Sequence, residues 1–449
     1  MASRPTVAVI GAGFSGLLTA LHLLSAPDGP QVQLIERRGA FGRGRAYETD
    51  NPDHLLNVRV ASMSALPDQP DHFVQWLSHR DGWRATGAFV TRGVYGDYLQ
   101  SLLGGAVQGA YGVGRLLLEL DEAVDARPVR GGWEIETAMG RTLFADAVVL
   151  ALGAPPSAPP PGASPELLAS PRYLADPWAA GASTDVGRHV LLLGAGLTMV
   201  DVAFALSRGY RRFTAISRRG LVSLGHDGRP PATGRTDLAG SPAEVLRQVR
   251  RSARGRDWRE AVDEARGSAQ DVWRAWSLAE RRRFLRHLRP WWDIHRHRMA
   301  PSVARRVQEM RKAGELVVRA GAIERLDLAQ DEVRVEWRAR GTRKPQTLMV
   351  DAVVNCTGAG GEIGLADPRL IGALLGRRLV RPDPCRLGLD VDAGSRPLNA
   401  KGVAQRGLYA VGPLTRSAFW EITAVPDIRS QAATVARDLL AELAARRRA

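Results

Sequence analysis

The chain reads as an α/β protein in which one parallel-sheet unit occurs twice. Three observations carry this. A run of β-favouring residues, Val7 to Ile10, ends in Gly11-Ala12-Gly13-Phe14-Ser15-Gly16, and an apolar helical run follows with Leu17, Leu18, Leu21 and Leu24 on one side. The same plan returns about 180 residues later, where Val190 to Leu193 leads into Gly194-Ala195-Gly196-Leu197-Thr198-Met199. Each unit also has a second apolar strand ending at a glycine: Ala147-Val148-Val149-Leu150-Ala151-Leu152-Gly153 and Ala352-Val353-Val354-Asn355-Cys356-Thr357-Gly358. At Gly153 and Gly358 the chain can cross close to a ligand.

The glycines of the first unit have separate roles. Gly11 permits the tight turn, Gly13 lets a pyrophosphate approach the backbone, and Gly16 lets helix and strand pack closely. The helix N-terminus then offers free N–H groups and the positive end of its dipole to phosphates. A second strand, Val32 to Ile35, ends in Glu36, twenty residues after Gly16. An acid at that place accepts hydrogen bonds from ribose hydroxyls and repels a 2′-phosphate.

The second unit differs at two points. Met199 stands where the third glycine would be, so this helix is expected to pack less closely on its strand. The strand Phe213 to Ile216 ends in Ser217-Arg218-Arg219 with no carboxylate. Guanidinium forks suit a 2′-phosphate, which points to NADPH at Gly194, Gly196, Arg218 and Arg219. The alternative is that these arginines are merely exposed. Two nucleotides side by side are the equipment for passing a hydride between cofactors. The expected fold is therefore two Rossmann-like dinucleotide-binding domains with a helical insertion in the second.

The domain boundaries follow from composition. Residues 1–155 form the first part of one domain, and 156–185, opening on the proline-rich stretch from Pro155, form a linker. Residues 186–357 form the second domain, and 358–449 return to the first. Ser241-Pro242-Ala243-Glu244 and Ser277-Leu278-Ala279-Glu280 are capping boxes, and Gly314 is a helix stop. Residues 240–314 thus read as the helical insertion. Within it, Arg281-Arg282-Arg283 and Pro290 to Arg298 concentrate arginine, tryptophan and histidine. This stretch is a solvated basic face over core tryptophans, a lid over substrate or NADPH, or, least favoured, a nucleic-acid surface without a recognised module. His295 and His297 lack the carboxylate or cysteine cluster that a metal would need, so no metal is expected.

The net charge is +15, and Lys312, Lys344 and Lys401 are the only lysines. Such a field draws in anionic cofactors and substrates. No long apolar stretch is present to span a bilayer. The N-terminus runs straight into a strand without a signal-like segment, so a cytoplasmic location is expected. Cys356 and Cys385 are the only cysteines and form no C-x-x-C, which weighs against a dithiol flavin reductase.

The end of the chain reads Gly407-Leu408-Tyr409-Ala410-Val411-Gly412-Pro413, then Phe419-Trp420-Glu421-Ile422-Thr423, then a helix after Pro426 with Asp427 as its expected N-cap. His297 and Asp427 are titratable residues in promising segments and are candidates for moving protons. The structural alternative is Asp427 as a cap and His297 as a partner of phosphate or backbone.

The order of these motifs resembles flavoproteins with two dinucleotide-binding domains, including flavin monooxygenases and amine N-hydroxylases. The whole chain is most similar to the bacterial FAD-NAD(P)-binding protein family. Phe41 to Tyr47, His54-Leu55-Leu56-Asn57-Val58, Tyr95 to Leu99 and Trp420 to Pro426 look like its recurring segments. The resemblance implies FAD on Gly11, Gly13, Ser15, Gly16, Glu36 and Arg37. It implies Arg45 and Asn57 near the pyrophosphate or flavin, and Val124 against the adenine through its backbone. It implies Gly412, Trp420, Glu421 and Ile422 beside the isoalloxazine, and Thr198 on NADPH. Two departures stand out: Pro413 occupies the place of an aspartate that holds the ribityl chain, and the Baeyer–Villiger fingerprint is absent.

The expected activity is an NADPH-using FAD oxidoreductase. A C4a-hydroperoxide on the flavin would then oxygenate a small nucleophile such as an amine, with molecular oxygen as co-substrate. The alternatives are a flavin reductase or dehydrogenase without oxygenation, and a flavoprotein that binds nucleic acid or a protein through residues 240–314.

Overall fold

The computed structural model describes residues 4–81, 88–109, 114–178, 185–207, 211–230, 232–358, 363 and 367–448, without the side chain of residue 81. Seven strands precede the proline-rich stretch: β1 (Thr6–Ile10), β2 (Gln31–Glu36), β3 (Leu116–Leu120), β4 (Ala123–Val129), β5 (Gly132–Thr137), β6 (Thr142–Ala145) and β7 (Ala147–Leu150). Then come β8 (Tyr173–Leu174), β9 (His189–Leu193), β10 (Arg212–Ser217), β11 (Leu316–Ala329), β12 (Glu332–Ala339), β13 (Pro345–Val350), β14 (Ala352–Asn355) and β15 (Leu408–Ala410).

The first sheet is parallel, with order β15-β7-β1-β2-β3. Its central strands are apolar without alternation because both faces are covered, by helix 14–25 on one and by the strands of β4–β6 on the other; β7 is buried along its whole length. β4, β5 and β6 form a separate antiparallel sheet. The second sheet has order β13-β12-β11-β10-β9-β14-β8. It is parallel from β11 to β8 and antiparallel from β11 to β13. The stretch read as a linker contributes β8 to this sheet.

Both sheets reverse strand order at their first strand. β1 lies between β2 and β7, and β9 lies between β10 and β14. Crevices open outside the carboxyl ends of strands at such points. The two turns there are near copies. The Gly11 N–H donates to Ile35 O and the Gly194 N–H to Ile216 O, both at 2.9 Å. Gly11 has φ +97° and Gly194 φ +108°. A Cβ on Gly11 would stand 2.5 Å from Ala151 O, and one on Gly194 2.6 Å from Cys356 O. Only glycine permits both the conformation and the approach.

The copies part at the third position. A Cβ on Gly16 would lie 1.9 Å from Gly11 O. Met199, fully buried in the second core, already carries a Cβ at the corresponding place, so that helix must stand farther from its turn.

Between β10 and β11 lie helices 242–252, 258–266, 269–275, 278–287, 289–296 and 301–312. Both capping boxes form: the Glu244 carboxylate accepts the Ser241 N–H at 2.8 Å, and the Glu280 carboxylate accepts that of Ser277 at 2.8 Å. Gly314 has φ +74° just past helix 301–312.

The C-terminal helix spans Val425–Arg448, so the expectation of Asp427 as N-cap is corrected. The helix begins three residues earlier than that cap implies because Pro426 is tolerated in its first turn, where no intrahelical N–H bond is needed.

Gly16→Ala should lower stability by at least about 1–3 kcal/mol, since the added methyl overpacks a backbone crossing. Gly196→Ala, with φ −83° and nothing within 4 Å of an added Cβ, should be nearly neutral. Equal melting temperatures for the two variants would refute this account of the glycine pair.

Candidate functional site

A cavity of about 440 Å³ opens where β1 and β7 diverge. Gly11, Gly13, Ser15, Glu36, Arg37, Arg45 and Gly153 line it. The helix 14–25 has Gly13 as N-cap with no side-chain cap, so its first N–H groups face the cavity unclaimed by a capping side chain. Gly44 backs onto Gly13: a Cβ on Gly44 would lie 2.9 Å from the Gly13 Cα. Glu36 Oε2 accepts the Ala12 N–H at 3.0 Å and Oε1 accepts the Arg38 N–H at 3.1 Å. These bonds aim the carboxylate while leaving lone pairs for a ribose. The cradle fits a dinucleotide: uncapped N–H groups, bare glycines at the turn and a fixed acid at the end of β2.

Two sequence candidates border this cradle rather than line it. Val124 falls at a β-bulge between Ala123 and Asp125, outside the β4–β5 ladder, beside the lining residues Asp121, Glu122 and Ala123. Gly16 supports the turn from behind. Arg37 pairs with Glu122 at 3.3 Å, and Arg45 pairs with Asp176.

The other wall comes from the second unit. Thr198, Asp201, Asn355 and Gly358 line the same cavity, whereas Gly194 and Gly196 do not. Asp201 is buried and bonded to Arg92 at 2.9 Å. Burial pushes its carboxyl upward, against the pull of Arg92 and His54. His54 Nε2 donates to Asp201 O at 3.2 Å, so in the neutral ring Nδ1 accepts from Thr49 Oγ1 at 2.9 Å. Trp178 meets the His54 ring edge-on at 5.1 Å. In the sequence His54 stands out only as part of a recurring segment, and Asp201 and Arg92 belong to none of the motifs. The signal was a buried acid in an otherwise apolar helix, Leu197–Leu206.

A second cavity, about 760 Å³, adjoins the first and shares Ala154, Pro155, Pro413 and Thr423 with it. Arg218, at the tip of β10, lines it. Arg219 does not; its Nη2 donates to the carbonyls of Arg286 and His287 at 3.3 and 3.4 Å, closing the end of helix 278–287. The paired arginines thus divide, one toward the cavity and one onto the insertion. Pro413, the departure from the expected aspartate, lies on the shared wall. Gly412 behind it is buried with φ +74°, and its N–H is already given to Gln431 Oε1 at 2.8 Å.

Trp420, Glu421 and Ile422 line neither cavity; Thr423 lines both. Trp420 stacks on Trp273 of the insertion at 4.8 Å. Ile422 is 1% exposed in the first domain's core. Glu421, 4% exposed, accepts Trp292 Nε1 at 2.9 Å and Arg296 Nε at 3.2 Å, with Arg266 Nε at 3.9 Å. Burial works to raise its carboxyl, but Arg296, His297, the Trp292 bond and Arg266 together hold it below the usual carboxylate range. Arg266 also pairs with Asp427. The two catalytic candidates, His297 and Asp427, therefore meet around Glu421, outside both cavities. Burial lowers the His297 imidazole and raises the Asp427 carboxyl.

Most of the insertion's tryptophans are internal. Trp273 and Trp276 pack with Phe284 and Trp420, and Trp292 is tied to Glu421, while Trp291 is exposed. Arg282, Arg283 and Arg286 line the second cavity. Among the described residues no group of three or more metal-ligating side chains occurs. Among them, too, no helix is long and apolar enough to cross a membrane.

Residues 8–155 match the family model described as FAD-NAD(P)-binding. They form an FAD-NAD(P)-binding domain. Across the whole chain, an uncharacterised protein of Mycobacterium tuberculosis is 23% identical, covering 99% of this chain and 97% of its own. Among solved structures, L-lysine 6-monooxygenase from Pseudomonas syringae aligns with a TM-score of 0.67 at 16% identity, covering 98% of this chain and 100% of its own. The ornithine N-hydroxylase of Kutzneria sp. 744 aligns with a TM-score of 0.63 at 16% identity over the full length of both chains. The shared property is the fold of flavoproteins with two dinucleotide-binding domains.

Asn57 does not line the first cavity; its carbonyl accepts His226 Nε2 at 3.0 Å, joining the two units. Burial, with Arg298, Arg59 and Arg296 nearby, outweighs that bond and pushes His226 down to about 4 from 6.5. The folded protein therefore resists a proton that the unfolded chain accepts. Stability attributable to His226 should be intact above pH 6.5 and fall as the pH drops toward about 4, with no further loss below. Comparing urea unfolding of the wild type and His226→Gln across this window isolates the effect; parallel pH profiles would contradict it.

Proposed function

We propose that the protein is an FAD-dependent, NADPH-using oxidoreductase that oxygenates a small molecule at a nucleophilic atom such as an amine nitrogen. The carrying observation is the pair of strand–glycine–helix units opening onto adjoining cavities that share Ala154, Pro155, Pro413 and Thr423. Ligands in the two would meet across that wall. Bound FAD supplies hydride acceptance and, once reduced, reaction with molecular oxygen.

The chain's own residues bind, orient and exclude water. The N-terminus of helix 14–25 and Gly13 would hold the FAD pyrophosphate, and Glu36 its adenosine ribose. Arg218 would meet the NADPH 2′-phosphate, with Thr198 at the start of the second fingerprint helix. Arg92 and His54 tie Asp201 to the first domain and so hold the second wall against the first. The Glu421 network keeps the Trp420–Ile422 segment packed beneath Thr423. His297 and Asp427 lie in that network, which supports a positioning role for both rather than contact with reactants. Similarity of fold to an L-lysine 6-monooxygenase and to an ornithine N-hydroxylase, the latter with reduced FAD, NADP+ and L-ornithine, supports the oxygenase reading.

Anaerobic titration of the yellow protein with NADPH should bleach the flavin band. Readmitting air should then give an oxygen-dependent spectral transient before the oxidised flavin returns. Bleaching without a transient would favour a reductase, and no bleaching would sink the redox reading.

Arg218→Ala should weaken NADPH by roughly ten- to a hundredfold while leaving NADH nearly unchanged, the expected loss for a charge-assisted contact to phosphate. Arg219→Ala, which uncaps a helix instead, should act mainly on melting temperature. Steady-state KM values for both nucleotides distinguish the two arginines; equal effects on NADPH would remove the division of labour.

A further inference from the structure

The second cavity is lined by sixteen residues, of which seven are arginines and none is acidic. Six of these arginines come from three places, and the seventh is Arg386. Arg218 sits at the tip of β10. Arg282, Arg283, Arg286 and Arg289 come from the insertion. Arg416 follows Pro413 on the segment that returns to the first domain.

Arg416 is the informative one. Its guanidinium lies 4.5 Å from the centre of the Trp420 ring, and that of Arg289 lies 5.8 Å from the same centre. Arg289 has a counter-ion, Asp293 at 3.2 Å. Among the described residues Arg416 has no ion pair, and its Nε is buried without a hydrogen-bond partner. Burial, and after it the neighbouring Arg289, lowers Arg416 to about 10, outweighing the more distant pull of the Asp293 and Glu421 carboxylates, neither of which forms an ion pair with it. Two cations held over one ring, one of them unpaired and largely enclosed, are costly unless an anion joins them. Pro413 and Thr423, which line this cavity with Arg416, also line the first cavity.

We propose that Arg416 anchors the substrate, and that the substrate is an anion bearing a carboxylate or phosphate. This rests on the oxidoreductase reading and narrows it. A simple diamine would meet only like charge here. The oxidised nicotinamide ring is itself cationic, so arginines beside it serve an anionic neighbour better than the ring. The atom to be oxidised would then point through the shared wall while the anionic group stays on Arg416 and Arg289.

The test uses the FAD-loaded protein saturated with NADP+ at constant ionic strength. Succinate, inorganic phosphate and 1,4-diaminobutane are titrated separately, followed by calorimetry and by the flavin difference spectrum. One of the two anions should bind and perturb the flavin, the diamine should not, and which anion binds identifies the carboxylate or phosphate source. Arg416→Gln should weaken that anion by about tenfold or more, with Arg416→Lys in between. If Arg416→Gln loses flavin, Arg289→Gln tests the other anchor over the Trp420 ring; it should weaken the same anion while retaining flavin. Unchanged affinity in the variants that keep flavin, tighter binding of the diamine, or anions that merely displace NADP+ would overturn the proposal. Absence of NADPH bleaching would instead defeat the redox reading and leave anion binding measurable by calorimetry.

Discussion

The Glu421 carboxylate is the point on which the two halves of the molecule are fastened. It is almost fully buried, yet it belongs to the segment that returns to the first domain, while Trp292 and Arg296 belong to the insertion in the second. A lone carboxylate there would be too costly to remain charged; two guanidiniums and an indole N–H make it tolerable. Removing one partner of such a buried pair costs roughly 3–5 kcal/mol, because the remaining charge is stranded. The arrangement therefore acts as a registration device. It sets where Thr423 and Pro413 stand, and these residues form the wall between the cavities.

Around that fastening, the fold uses one solution twice. In each unit a parallel strand stops at a glycine of positive φ, and the backbone of a neighbouring strand's end crosses close against it. Close packing of these two backbones leaves the helix N-terminus facing outward with unclaimed N–H groups. The copies are not equal. Gly16 permits the tightest approach in the first, whereas Met199 fills the second core and pushes its helix outward. The second fingerprint helix contributes Thr198 and Asp201 to the first cavity, so that cavity is completed by the second unit.

The distribution of charge follows the same geometry. Many arginines are spent on surface ion pairs, which contribute little individually. Those facing the second cavity share a concave surface without a carboxylate, where their fields add. Arg219 shows how neighbours in sequence can be assigned different work: it satisfies helix carbonyls, and Arg218 is left toward the cavity.

The sequence by itself determined the local units. The strand–glycine–helix fingerprints, Glu36 at the end of β2, the capping boxes and the two glycine-ended strands are short-range patterns, set by φ preference, apolar periodicity and turn chemistry. Each is legible because its cause lies within a few residues. Tertiary structure decided which of those residues face a common space. Asp201 reads as one polar residue in an apolar helix until the first domain brings Arg92 and His54 to it. Asp427 reads as a cap until Arg266 claims its carboxylate. Trp420 and Glu421 read as flavin neighbours until the insertion buries them. Arg416 is one arginine among many until packing leaves it over the Trp420 ring beside another cation and without an ion pair of its own among the described residues. In each case the partner is more than 100 residues away in the chain, and burial and charge pairing at that separation depend on packing that local sequence does not encode.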